Sequence, residues 1–429
     1  MMEKKFKAKD MLIIGAALFA MFFGAGNLIF PPLLGQQSGT SWIIGFLFFF
    51  IFDVGLALVA ILALIGKDTY SITGLTGPMG KVPGSILGAV GALCIGPFLA
   101  VPRTAATTFE VGVLPLAPNF NSWIFTAIFF AVVLVLTIRP SKVVDIVGGY
   151  LTPILVIFLL IMIVVGIVNP LGPIESEPTV NAVREGTYNG YQTLDVIAAM
   201  IFIIIIANSA RDKGYTDKGS LAGAVMRSAV VATVLLLVIY GGLTFLGATT
   251  GTLADYQGLD QTSLLVAITR GLFGNIGVIL LGIIVLFACW TTAIGLISAV
   301  SEYFVELSNG KLKYTTLVTV MVIFSWVVSN FGVSTIIQVS APLLNLIYPG
   351  LLVLIILAFF HKQIKNNNIY RCAAYFAMIT SALEILAGFG LPTGFVSALP
   401  LSDMGFAWII PAIVGGIIGK FIPSKSSAA

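Results

Sequence analysis

Apolar runs of about 20 residues, each closed by a short polar stretch, recur from one end of the chain to the other. Twelve can be drawn: 11–35, 41–66, 82–101, 121–138, 146–168, 188–209, 221–247, 274–304, 314–331, 334–360, 370–391 and 405–422. About 20 apolar residues suffice for a helix to cross the hydrocarbon core of a bilayer. None of the runs alternates as a barrel strand does, and lipid offers the backbone no hydrogen-bond partner, so each is expected to be a helix. Basic residues from Lys4 onward precede the first run, as in a signal peptide. The run continues to about Leu34 and many more follow, so an uncleaved first helix is expected.

Composition fixes the solvent. Of 429 residues, 58 % are hydrophobic and 9 % charged, against roughly a quarter charged in a soluble domain. No soluble fold hides that much apolar surface, and no loop is long enough to hold a soluble domain. The expectation is an all-α integral membrane protein, one membrane domain over 1–429. With the N-terminus cytoplasmic, all of the 22 Lys and Arg fall on the cytoplasmic side except Arg103, Arg184 and Arg270. A single miscounted helix would destroy that split. Both termini are therefore expected in the cytoplasm of a cell with this chain in its inner membrane. The one histidine, His361, begins a basic loop, and Cys94, Cys289 and Cys372 lack metal-site spacing. With no phosphate loop and no Ser-His pair, the chain reads as a carrier, not an enzyme or an autonomous ATP-driven pump. No cofactor and no nucleic-acid partner are expected; lipid surrounds the chain.

A short motif occurs twice. Gly77-Pro78-Met79-Gly80 precedes the third run, and Gly271-Leu272-Phe273-Gly274 precedes the eighth. Five helices separate the copies, and an odd number turns the second copy upside down. That is the arithmetic of a 5+5 inverted repeat, 11–168 and 188–360, with 370–422 outside it.

Candidate chemistry lies where helices are interrupted. Gly24-Ala25-Gly26-Asn27 sits inside the first run, and Pro31 removes an amide and crowds the carbonyl of Asn27. The hydrogen-bond ladder is expected to open near 23–27. Freed amides there suit a carboxylate, and freed carbonyls suit a cation or an amino group, which together match a zwitterionic amino acid. The alternative is a packing kink with close helix contact. The sixth run opens on the polar stretch Tyr191-Gln192-Thr193-Leu194-Asp195. Asp195 either balances an ammonium or a cation, or is a structural acid at the rim. Ala198, Ala199 and Phe202 follow as candidates for an apolar side-chain pocket. In the eighth run Ala288, Thr291 and Thr292 share one helical face, offering hard oxygen ligands or simple back-bonding within the helix. Asp53 and Glu384 are intramembrane acids, each either a proton relay or a structural group; Asp53 is expected in a hydrogen bond facing the bundle. Arg103 and Glu110 are read at the outer end of the third run, as a rim ion pair.

Phe23-Gly24-Ala25-Gly26-Asn27-Leu28-Ile29-Phe30-Pro31-Pro32 resembles the first-helix signature of the branched-chain amino acid:cation symporters. The twelve runs, the stretch from Tyr191 to Asp195 and the Thr291-Thr292 pair extend the likeness. That family has the LeuT-type fold of the amino acid–polyamine–organocation group, with helices 1 and 6 broken. The resemblance implies sodium-coupled uptake of leucine, isoleucine and valine. It implies a substrate site at Gly24, Ala25, Gly26 and Asn27 with Tyr191, Thr193 and Asp195. It also implies sodium near Asn27 and Thr193, and a second sodium position at Ala20, Phe23, Ala288, Thr291 and Thr292. Asp195 stands where some relatives have a hydroxyl residue, which leaves a proton-coupled carrier of another neutral amino acid as the alternative. An ion channel is the reading from a different class.

Overall fold

The computed structural model describes residues 6–69, 71–138 and 152–423, and all regular structure among them is helical. Lys4, Lys5, Arg139, Lys142, Lys425 and the start of the run 146–168 lie outside the described residues. In chain order the helices are α1 (Ala8–Phe22), α2 (Ala25–Ser38), α3 (42–66), α4 (Lys81–Val113), α5 (Ser122–Ile138), α6 (Thr152–Val168), α7 (Ala182–Thr193) and α8 (Asp195–Asp212). There follow α9 (Lys218–Ala248), α10 (Gln261–Leu307), α11 (Tyr314–Ser329), α12 (Val333–Phe359), α13 (Asn367–Gly388) and α14 (Ile409–Phe421). Seven continuous helical stretches among the described residues are long and apolar enough to cross a membrane. Shorter apolar helices, α5, α6, α11 and α14 among them, accompany these.

The helices expose apolar side chains in stripes. On α6, Ile154, Ile157, Ile161, Val164 and Val168 face outward at helical spacing, while Leu155, Leu159, Met162 and Ile163 are buried. An outward apolar face suits lipid and not water.

Three boundaries depart from the sequence expectation. The third run, drawn to 101, continues to Val113, because Arg103 to Thr108 are polar in part yet buried. Hydropathy reads such residues as a helix end, whereas protein neighbours enclose them. The stretch 248–273, drawn as a loop, contains the start of α10, where the Asp260 carboxylate accepts from the Ser263 amide at 2.8 Å. The sixth run begins at Ala182 instead of 188, since the Asn181 side chain caps α7 by accepting from the amides of Val183 and Arg184. Glycines in the positive-φ region stand immediately before α4 (Gly80, φ 111°) and within α10 (Gly274, φ 64°), the two matching positions of the repeated motif.

Backbones touch where glycine removes the side chain. A Cβ at Gly35 of α2 would lie 1.9 Å from the Thr244 carbonyl oxygen of α9, and one at Gly247 of α9 would lie 1.8 Å from that of Pro32. Gly186 of α7 meets the Gly45 carbonyl of α3, and Gly112 of α4 meets Gly282 of α10. Lipid gives helices no hydrophobic reason to associate, so such close seams carry the packing. Gly35→Val is accordingly expected to destabilise the fold by roughly 3 kcal/mol, the upper end for overpacking. Gly66→Ala, with open space around it, should be neutral; thermal unfolding in detergent compares the two.

Candidate functional site

Non-helical residues interrupt α4 at Gly96 and α10 at Gly274, and two further breaks, between α1 and α2 and between α7 and α8, face one cavity. Between α1 and α2, Phe23 (φ −71°, ψ 84°) and Gly24 (φ −111°, ψ −164°) leave helical conformation. The opening is confined to these two residues. Gly26 and Asn27 are helical, and Pro31 and Pro32 lie within α2, so the glycine at 24 sets the break and not the proline clash expected at 27. Between α7 and α8, Leu194 adopts the left-handed region (φ 70°, ψ 8°) while fully buried. A leucine there costs on the order of 1–3 kcal/mol and persists only where its surroundings fix it. Each break exposes carbonyls on one side and amides on the other, with opposed dipole ends.

Side chains tie the breaks together. Asn27 Nδ2 donates to Asp195 Oδ2 at 2.7 Å and also to the Tyr240 hydroxyl on α9. Asp195 opens α8, where a carboxylate faces the positive end of the helix. Thr193 Oγ1 lies 2.8 Å from Asp53 Oδ1 and 2.7 Å from the Gly190 carbonyl one turn back, so its single proton is shared between these two acceptors. Asp53 is fully buried on a π-helical turn of α3, Ile51–Gly55, and its other carboxylate oxygen, Oδ2, has no hydrogen-bond partner. The bundle-facing hydrogen bond expected for Asp53 is thus present.

The cavity wall contains Gly24, Ala25, Gly26, Asn27, Thr193, Asp195, Ala198, Phe202 and Thr292 among the residues singled out in the sequence. Thr292 Oγ1 is buried without a hydrogen-bond partner and sits 3.6 Å from where a Gly24 Cβ would be. Thr291 back-bonds to the carbonyl of Ala288 at 2.8 Å and to that of Phe287. Neither Thr291 nor Ala288 lines the cavity. Phe23 packs its ring on Phe19 and Tyr240 instead, Ala20 and Ala199 are buried off the cavity, and Tyr191 stacks 4.6 Å from Tyr348.

Sequence reasoning missed one charged wall residue. Arg103 is no rim residue: it is buried, reaches the cavity, and donates from Nη1 to the Gln192 carbonyl at 2.7 Å. Nor does it pair with Glu110, which accepts from Thr262 Oγ1 at 2.7 Å and from the Val333 amide at 2.9 Å, capping α12. Glu384 stands apart on α13, half-exposed and 3.8 Å from Arg184. The apolar run ending at 101 hid Arg103; the only available signal was the small, polar helical stretch Arg103-Thr104-Ala105-Ala106-Thr107-Thr108 that follows. At about 20 Å³ the cavity has room for a single water, so a larger guest requires its walls to move.

The family model "Branched-chain amino acid transport protein" matches residues 7–426. The branched-chain amino acid permease BrnQ of Bacillus subtilis (strain 168) is 37 % identical, over 98 % of this chain and 98 % of its own. Among solved structures, the nucleobase-cation-symport-1 family transporter Mhp1, closed with bromovinylhydantoin bound, aligns with a TM-score of 0.65 at 16 % identity. The alignment covers 97 % of this chain and 94 % of Mhp1. A Na+-coupled sialic acid symporter in its substrate-bound outward-open state aligns with a TM-score of 0.59 at 14 % identity, over 96 % and 90 %. The fold is thus shared with LeuT-type transporters.

Thr193→Val keeps the shape of the side chain and removes the donor to Asp53. Leaving a buried carboxyl without that partner should cost about 1–3 kcal/mol. Denaturant unfolding in detergent measures it, with Thr319→Val, whose hydroxyl bonds only to the Thr315 carbonyl one turn back in its own helix, as the reference. Equal losses at both positions would remove the Thr193–Asp53 bond from the account of the site.

Proposed function

Because the chain belongs to the branched-chain amino acid transport protein family, we propose that it imports leucine, isoleucine and valine across the cell membrane by sodium symport. The observation carrying this reading is the convergence of both helix breaks on one cavity, joined by the Asn27–Asp195 bond. Counting α1 with α2, and α7 with α8, as one traverse each gives twelve spans with both termini in the cytoplasm. The 5+5 inverted repeat over 11–168 and 188–360 is supported by Gly80 and Gly274, which share a glycine-only conformation at equivalent motif positions.

The way the helices touch supports alternating access. Backbone-close glycine seams join α2 to α9 and α7 to α3, and another joins α4 to α10. Between these two groups, Gly24 and Gly26 meet side chains, Thr292 and Arg103. Side-chain contacts slide more readily than interlocked backbones, so helices α1–α3 and α7–α9 form the rocking unit. The aliphatic substrate side chain packs against Ala198 and Phe202, and its burial contributes roughly 1.5–3 kcal/mol. One methylene changes binding by only about 1–3 kcal/mol, so all three substrates are accepted.

Sodium binds where the α1 break meets α10, with the free hydroxyl of Thr292 as ligand. One charge crossing 100 mV supplies about 2.3 kcal/mol. The second reading, proton coupling, is favoured by the Asp53–Thr193–Asp195 cluster.

Labelled leucine uptake into proteoliposomes, with a sodium gradient and then with potassium replacing it at constant pH, separates the two. Saturable uptake that needs sodium and is competed by isoleucine and valine is expected. Uptake that persists without sodium but needs a proton gradient moves coupling to the acidic cluster, and no uptake removes the substrate assignment. At the residue level, Thr292→Ala should weaken sodium activation about tenfold, 1.4 kcal/mol for one ligand. Thr291→Ala should change it less, since that hydroxyl is already engaged within its helix. Sodium titrations of uptake by the two variants test the order.

A further inference from the structure

Arg103 is a buried charge that no carboxylate touches, Asp195 acting on it only through space. It forms no ion pair among the described residues, and its Nε has no hydrogen-bond partner. Burial of an unpaired guanidinium is costly, and such groups are retained where something neutralises them. Its surroundings aim it. Nη1 holds the Gln192 carbonyl at the end of α7, and the guanidinium carbon lies 5.4 Å from the Phe30 ring centroid. Nη2 points at the α1–α2 break, where a Cβ on Gly26 would lie 2.7 Å from it. A side chain at 26 would therefore separate the guanidinium from the first-turn amides of α2, and glycine leaves them side by side.

Two sources of positive potential thus meet at one wall of the cavity: the guanidinium and the free amides that make up the positive end of α2. Asp195, with its Oδ2 bound by Asn27, stands on the same cavity. We infer that Arg103 is a substrate-binding residue that takes the carboxylate of the transported amino acid, with the Asp195–Asn27 side of the cavity left to the ammonium. The inference rests on the substrate class proposed above. Guanidinium and carboxylate match as planar partners able to form two parallel hydrogen bonds, which the compact ammonium of lysine does not reproduce.

The competing account is that Arg103 merely satisfies the Gln192 carbonyl. The two separate on ligands that differ only in the carboxyl group. Calorimetric titration of the purified full chain in detergent, with leucine and with leucinamide, gives the ratio of affinities. In the wild type leucine should bind at least about 100-fold more tightly. Arg103→Gln should lower leucine affinity about 30- to 100-fold and leave leucinamide unchanged, erasing the ratio; Arg103→Lys should lose about tenfold. Loss of affinity for both ligands by the same factor would mean a purely structural arginine and overturn the proposal. So would an unchanged ratio in either variant, or wild-type protein that binds leucinamide as well as leucine. Where Arg103→Gln does not fold, the ratio in Arg103→Lys decides. Wild-type protein that binds none of leucine, isoleucine and valine refutes the substrate reading itself, and this one with it.

Discussion

Backbone carbonyls and amides released inside a membrane have no water to turn to, and in this protein the α1–α2 and α7–α8 breaks both release them. Everything at its centre answers that constraint. The last turn of α7 gives up carbonyls, and Arg103 takes that of Gln192. The chain reverses its handedness at Leu194, and Thr193 and Asp195 on either side of it are anchored to Asp53 and Asn27. No single helix could hold its own break open, because an isolated gap would close back to a regular ladder. The open geometry exists because α3, α4 and α9 each contribute a polar side chain, Asp53, Arg103 and Tyr240, to a neighbour's interruption.

Such precision needs neighbours that cannot drift, and the glycine seams supply it. Where the Gly35 and Gly247 backbones lie against α9 and α2, a shift of either helix along its axis would force atoms together. Gly190 does the same for α7, with a Cβ there only 3.0 Å from the Phe49 carbonyl and 3.1 Å from the Asp53 amide. The register of α7 on α3 therefore places Thr193 opposite Asp53. Packing and polar chemistry are one arrangement: the small residues set the distance that the hydrogen bonds use.

The architecture was legible in sequence because lipid imposes a coarse code, long apolar runs and a broken one marked by Gly24 and Gly26. The exact position of each break was not. Pro31 looked like the disruptive residue, yet it is the seventh residue of α2, and the helix runs through it and Pro32 to Ser38. Leu194 carried no signal, since a leucine in the left-handed region is imposed by tertiary contacts. Arg103 was misread for a related reason. Hydropathy treats a charge as a helix end, whereas this charge is enclosed by Gln192, Phe30 and the break itself.

Opposite charges on one small cavity also bear on the energetics of carriage. A zwitterion brings a carboxylate and an ammonium at a separation fixed by its own bonds, and Arg103 and Asp195 lie on the same cavity with complementary signs. Binding then exchanges one set of charge contacts for another without adding net charge to a low-dielectric site. Under that arrangement the amino acid crosses as a neutral passenger. In the proposed symport the membrane potential would then act on the coupling cation and on whatever protein charge moves with it. Under the proposed function, selectivity for the apolar side chain and the driving force for uptake are separable, the first assigned to Ala198 and Phe202 of α8 and the second to the place where α1 meets Thr292 of α10.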